Sequence, residues 1–111
     1  MDYGRDFFEI LNELEESAIH PVSGLIEETL IKYSDEKFCF VWLDLDLYQS
    51  TSFAYKFFED RIVQKGVIGF HDYGFSRCPG IQIVGDKEVD FNKYEFVEKI
   101  DTCYFIRRKE N

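Results

Sequence analysis

The 111-residue sequence predicts an α/β fold, a parallel sheet with helices on both faces, and three patterns lead there. Residues 38–47 and 67–70 form apolar runs that turn acidic at their ends, as buried parallel strands do when they reach a solvent-facing rim. Between them, Phe53, Phe57, Phe58 and Ile62 recur at helical spacing, the pattern of a crossover helix. Near the end, the runs 95–99 and 102–108 read as antiparallel strands joined across Asp101.

Taken in order, residues 5–16 read as an amphipathic helix whose apolar stripe is Phe7, Phe8, Ile10, Leu11 and Leu14. A short strand is expected at 18–22 and a helix at 24–33, with Lys37 marking the turn into a strand at 38–44. The next helix is expected at 50–64, ended by Gly66, which also starts a strand at 67–71. A loop carrying Arg77, Cys78 and Pro79 then leads into a short helix interrupted at Gly85. No repeat or linker divides the chain, and the size fits one domain over 1–111.

Chemistry concentrates where the strands end. In an open parallel sheet, ligands bind outside the carboxyl ends of the strands. Asp44 and Asp46 are two apart on one strand end, and two carboxylates on one face are costly unless a cation, a donor network or water compensates them. The second run ends in His71-Asp72-Tyr73-Gly74, and neighbouring strands lie about 4.8 Å apart, so these groups should converge on one rim. A structural alternative is that Asp46 or Ser50 only caps a helix starting near Ser50.

Other residues read as follows. Trp42 lies in the buried run and is expected in the core. Tyr48 and Tyr73 either line a carbohydrate site with their rings or pack beneath a loop; Arg77 either reaches an anionic substrate group or, as the better reading, is a solvated loop residue, and His20 reads as a surface residue. The three cysteines, Cys39, Cys78 and Cys103, leave one unpaired in any disulfide scheme and read as reduced packing residues. They do not have the spacing of a zinc site.

Composition limits the partners. A content of 45% hydrophobic and 18% aromatic residues is enough for a core, and the net charge of -9 argues against nucleic acid, whose phosphates need basic patches. No apolar stretch of about 18 residues suits a membrane span, and no basic-plus-apolar leader opens the chain, so a cytoplasmic location is expected.

The motifs Leu-Asp-Leu-Asp-Leu-Tyr-Gln-Ser-Thr at 43–51, Gly-Val-Ile-Gly-Phe-His-Asp-Tyr-Gly at 66–74 and Pro-Gly-Ile at 79–81 resemble the C-terminal half of the macrocin (sugar) O-methyltransferase family. Upstream, Val-Ser-Gly-Leu-Ile-Glu-Glu-Thr-Leu at 22–30 is similar to the family segment after its third strand, so the resemblance runs from about residue 18 to 108. It implies a partial Rossmann-like methyltransferase sheet closed by a C-terminal antiparallel hairpin. It also implies S-adenosylmethionine as methyl donor, a sugar or glycan hydroxyl as acceptor, and Mg2+ or another divalent cation. Carried over, Asp44 and Asp72 would be metal ligands and Asp46 a ligand or the general base. His71 stands where the family has an aspartate. Either fewer carboxylates hold the metal, or the metal is one that accepts histidine, or none is held. Asp46 or His71 would take the acceptor's proton.

The family binds its methyl donor on a glycine-rich turn after the first strand, and no Gly-x-Gly occurs anywhere in this chain. The sequence is therefore read as a truncated methyltransferase-like domain that begins after the family's second strand and lacks most of the cofactor site. Two readings follow: a metal-assisted sugar O-methyltransferase, or a non-catalytic remnant or half-domain that pairs with a second copy or a complementary chain through an open sheet edge.

Overall fold

The structure is a computed structural model that describes residues 21–110. The helix expected at 5–16, most of the strand expected at 18–22, and His20 lie outside the described residues; Pro21 and Val22 are not in a strand. The first elements are a single α-helical turn, α1 (Ile26–Thr29), and a 3-10 turn, Leu30–Tyr33, in place of one continuous helix at 24–33.

Four strands follow: β1 (Phe38–Leu43), β2 (Ile62–Phe70), β3 (Tyr94–Ile100) and β4 (Cys103–Arg108). They form one sheet in the order β1-β2-β4-β3, with β1 and β2 parallel and the other two pairings antiparallel. Parallel strands cannot be joined by a tight turn, and α2 (Tyr48–Phe58) supplies the crossover. The expected C-terminal hairpin is present, and its turn holds Asp101 at a φ of 54°. After β2 the chain enters α3 (Pro79–Ile83), which runs on into a π-helical turn, Val84–Glu88. Gly85 is therefore inside a helical segment and does not interrupt it.

Partnered positions share a face, which sorts the sheet, among the described residues, into a buried side and an open side. Val41, Ile68 and Ile106 form one cross-strand row, and Leu43, Phe70 and Tyr104 the next. These rows pack with Ala54, Tyr55 and Phe58 of α2 and with Ile81 and Val84, and Ile68, Phe70 and Ile106 are fully buried. Each such side chain contributes about 1.5–3 kcal/mol of hydrophobic stabilisation. Ile26 and Leu30 pack against the same core.

Phe40 and Trp42 point to the opposite face and are 55% and 40% exposed. Among the described residues nothing covers this face of β1, which departs from the expectation of a strand buried on both sides with Trp42 in the core. Trp42 instead lies over Gly69 and beside Phe105 and His71. Cys39 is exposed as well, so of the three free cysteines only Cys78 and Cys103 are partly buried.

The boundary between α2 and β2 differs most from the sequence reading. The helix stops at Phe58, not near residue 64, and Ile62 begins the strand. Helical spacing grouped Ile62 with Phe58, but both are buried from different elements. Arg61 lies just past the stop: its guanidinium donates to the Phe57 carbonyl at 2.7 Å and the Ser34 carbonyl at 2.8 Å, and lies over the Phe57 ring. A cation that satisfies terminal carbonyls in this way stabilises a helix C-terminus at this point. Lys65 then takes a φ of 67° where the β1–β2 register slips between Phe38 and Phe40. Gly66 lies inside the strand; a Cβ there would stand 2.9 Å from the Val63 carbonyl and 3.0 Å from that of Cys39.

Candidate functional site

Leu43 and Phe70 are register partners, so residues 44 and 71 leave the sheet side by side. The His71 amide donates to the Leu43 carbonyl at 2.9 Å, which carries the ladder one step past the strand ends. Both chains then turn sharply. Asp46 has a φ of 64° and Asp72 a φ of 65°, a left-handed conformation that aspartate tolerates better than most residues. Around Asp46, the Leu47 amide donates to the Leu45 carbonyl at 2.7 Å, closing a three-residue turn. Left-handed non-glycine residues at both strand ends are the kind of local strain that clusters at functional sites.

Neither Asp46 nor Ser50 caps the helix. α2 starts at Tyr48, Leu47 occupies the N-cap position, and no side chain bonds to the first turn. The capping alternative is thus set aside, and the acidic positions are left for other work.

The predicted residues do converge. His71 Nδ1 lies 3.0 Å from Asp72 Oδ2 and 3.2 Å from Asp44 Oδ1. Neither contact has hydrogen-bond alignment, so this buried ring nitrogen is without a proper partner among the described residues. A ring lone pair facing two carboxylate oxygens is repulsive unless a proton or a metal cation lies between them. Donor atoms around an octahedral cation with bonds of roughly 2.1 Å are about 3 Å apart, which matches these spacings. One imidazole nitrogen and two carboxylates suit a first-row divalent ion such as Mn2+ better than Mg2+, which prefers oxygen alone. The three residues therefore fit a divalent cation, with Asp44 half exposed and Asp72 largely buried.

Asp46 belongs to a second cluster. Its carboxylate and those of Asp72 and the Cys78 thiol approach within 4.8 Å of one another. The neighbouring Asp72 carboxyl is the main reason that the pKa of Asp46 is raised from its ordinary value, with burial and the Asp72 and Asp44 charges adding to it. Burial and the same carboxylates raise the Cys78 thiol and keep it protonated. Burial alone would depress His71, but the charges of Asp72 and Asp44 outweigh it and raise its pKa.

The two tyrosines beside the rim are tied down. Tyr48 donates to Glu88, and Tyr73 donates to Asp86 while stacking on Tyr104 at 4.2 Å. This favours packing over an open carbohydrate platform. Arg77 is exposed, as expected. Cys78, Asp86 and Glu88 were not singled out for the site in the sequence, and only the position of Cys78 just before Pro-Gly-Ile gave any signal. At the other end of the sheet, a recess of about 710 Å3 is lined by Lys65, Arg107, Arg108 and Lys109 with Glu95 and Glu110, away from the rim.

A family model for macrocin O-methyltransferases, TylF, matches residues 2–108. The chain belongs to the macrocin O-methyltransferase family. Among solved structures, the O-methyltransferase NovP superposes with a TM-score of 0.76 at 17% identity, over 95% of this chain and 46% of its own. CalS11, a TDP-rhamnose 3'-O-methyltransferase of calicheamicin biosynthesis, superposes in its apo form with a TM-score of 0.65 at 18% identity, over 78% of this chain and 39% of its own. The chain thus spans less than half the length of either protein, and the likeness is one of fold. No curated protein matches it. Among the described residues of this macrocin O-methyltransferase family member, no helix is long and apolar enough to cross a membrane.

Proposed function

We propose that this chain carries the acceptor-activating rim of a sugar O-methyltransferase, with Asp44, Asp72 and His71 Nδ1 holding a divalent cation and Asp46 acting as general base. The observation that carries the reading is the approach of His71 Nδ1 to both Asp72 and Asp44, at 3.0 and 3.2 Å. A cation held there supplies Lewis acidity that lowers the pKa of an adjacent sugar hydroxyl. Asp46, whose carboxylate lies within 4.8 Å of that of Asp72, takes the hydroxyl proton. His71 is assigned to the cation in preference to proton transfer, because its Nδ1 faces the two carboxylates.

S-adenosylmethionine is the methyl donor that the family resemblance implies, but the described residues form no glycine cradle for it and the chain has no Gly-x-Gly. No step of the transfer is therefore assigned to residues on the donor side. A nucleotide-linked deoxysugar is the first acceptor to try, since CalS11 is described as acting on TDP-rhamnose. The experiment is transfer of labelled methyl from S-adenosylmethionine to a panel of such sugars with Mn2+ or Mg2+. Product that disappears with chelator and with Asp44→Ala supports the reading; product indifferent to both contradicts the metal's part in it.

A second reading, that the chain pairs with a second copy or a complementary chain, is favoured by β1. Among the described residues this strand is hydrogen-bonded on one side only, and it exposes Phe40, Trp42 and Cys39. Absence of methyl transfer by a folded sample would favour this reading over the first.

A further inference from the structure

The two rim loops are held by the same short helical segment, and held in the same way. Tyr48 follows Asp46 by two residues and Tyr73 directly follows Asp72, so each tyrosine is the first aromatic anchor beyond a left-handed aspartate. The Tyr48 hydroxyl donates to Glu88 and the Tyr73 hydroxyl to Asp86, two carboxylates two positions apart in the π-helical turn. Each tyrosine also rests where the segment has no side chain. A Cβ on Gly80 would stand 2.4 Å from Tyr48 Cβ and 2.8 Å from its Cα, and a Cβ on Gly85 would stand 2.8 Å from Tyr73 Cε2. Ser52 Oγ, one turn beyond Tyr48, donates to the other Glu88 oxygen at 2.5 Å, and Lys56 Nζ lies 3.8 Å from it. Tyr73 is further fixed by its stack on Tyr104.

We infer that the segment 79–88 is a two-point clamp, in which Glu88 positions the Asp46 loop through Tyr48 and Asp86 positions the Asp72 loop through Tyr73. Asp86 and Glu88 are positioning residues, since both act on the rim through a tyrosine. The π-helical winding makes this possible. Val89 N–H donates to the Val84 carbonyl at 3.1 Å, a five-residue step that brings two carboxylates two positions apart toward two different anchors. Groups that orient ligands from behind commonly change metal affinity by about ten- to a hundredfold. The inference rests on the proposed metal rim for its consequence, but the clamp itself is readable without a metal.

The test is amide hydrogen exchange of the full chain, with Mn2+ titrated alone as the probe of the rim. The reporters are the Leu47 amide, bonded to the Leu45 carbonyl, and the Phe75 amide, bonded to the Asp72 carbonyl. Glu88→Ala should speed exchange at Leu47 by about tenfold with little change at Phe75, and Asp86→Ala should do the reverse, because local opening follows local restraint. Tyr48→Phe and Tyr73→Phe, which remove one hydroxyl each, should reproduce the two patterns if the alanine variants fold poorly. Glu88→Gln keeps an acceptor and should restore the Leu47 rate. Each alanine variant should weaken Mn2+ binding by about tenfold. Exchange that rises equally at both loops, or at neither, overturns the clamp. A wild-type chain that binds no Mn2+ removes the metal reading and leaves the exchange pattern to decide the clamp alone.

Discussion

Nδ1 of His71 lies 3.0 Å from Oδ2 of Asp72, a ring nitrogen set against a carboxylate at the point where two parallel strands end. Without a metal, a proton must sit on that nitrogen for the pair to attract. Burial pushes the imidazole pKa down, but Asp72 and Asp44 raise it above 6.5 on balance. A raised folded pKa means that this contribution to stability is complete below pH 6.5 and is lost as the pH rises through the folded value. Asp72→Asn should therefore lower the His71 pKa in the metal-free protein. Titration of the ring by NMR checks this, and an unchanged midpoint would show that the ring does not sense Asp72.

Glu88 shifts the other way. Burial raises its pKa, but bonds from Ser52 and Tyr48 and the nearby Lys56 hold it below 4.5 overall. A lowered folded pKa gives stability that is complete above pH 4.5 and is lost as the pH falls through the folded value. Glu88→Gln should flatten the acid side of the stability curve in urea unfolding. A wild-type slope in the variant would mean that Glu88 is not ionised against these donors.

Gly80→Ala should destabilise the fold by about 1–3 kcal/mol, as overpacking does. The added methyl would meet the Tyr48 Cα at 2.8 Å, and backbone cannot swing aside as a long side chain can. The urea midpoint of the variant measures the cost. No loss would mean that α3 and the Asp46 loop can separate freely, which also argues against the clamp.

β1 should drive self-association. Its exposed Phe40 lies on the strand that is paired on one side only among the described residues, and edges of this kind recruit other chains. Phe40→Lys should shift sedimentation toward the monomer. A wild-type chain that is already a single monomer would count against pairing through this edge.

Much of this was legible in the sequence. Apolar runs ending in Asp44 and His71-Asp72 pointed to two parallel strands and their shared rim, because the switch from apolar to charged residues marks where a strand meets solvent. The hairpin about Asp101 was legible for the same reason. The end of α2 was not: Ile62 continues the helical spacing of Phe58, and the tertiary contacts of Arg61 that support an earlier end leave no local pattern. The exposure of Trp42 was also hidden, because an apolar run looks the same whether one face or both are covered. Glu88 and Asp86 lay out of reach for another reason. They join the rim from 40 and 13 residues away, through tyrosine contacts that leave no local pattern.

The most direct test of the account is Mn2+ binding to the purified chain, followed by the loss of the free-ion electron paramagnetic resonance signal. One site per chain is expected, weakened by at least about tenfold in Asp72→Asn and in His71→Ala, and unchanged in Glu95→Gln at the far end of the sheet. A folded wild-type chain that leaves the Mn2+ signal untouched, or binding that is equal in all variants, would contradict a cation site at Asp44, His71 and Asp72.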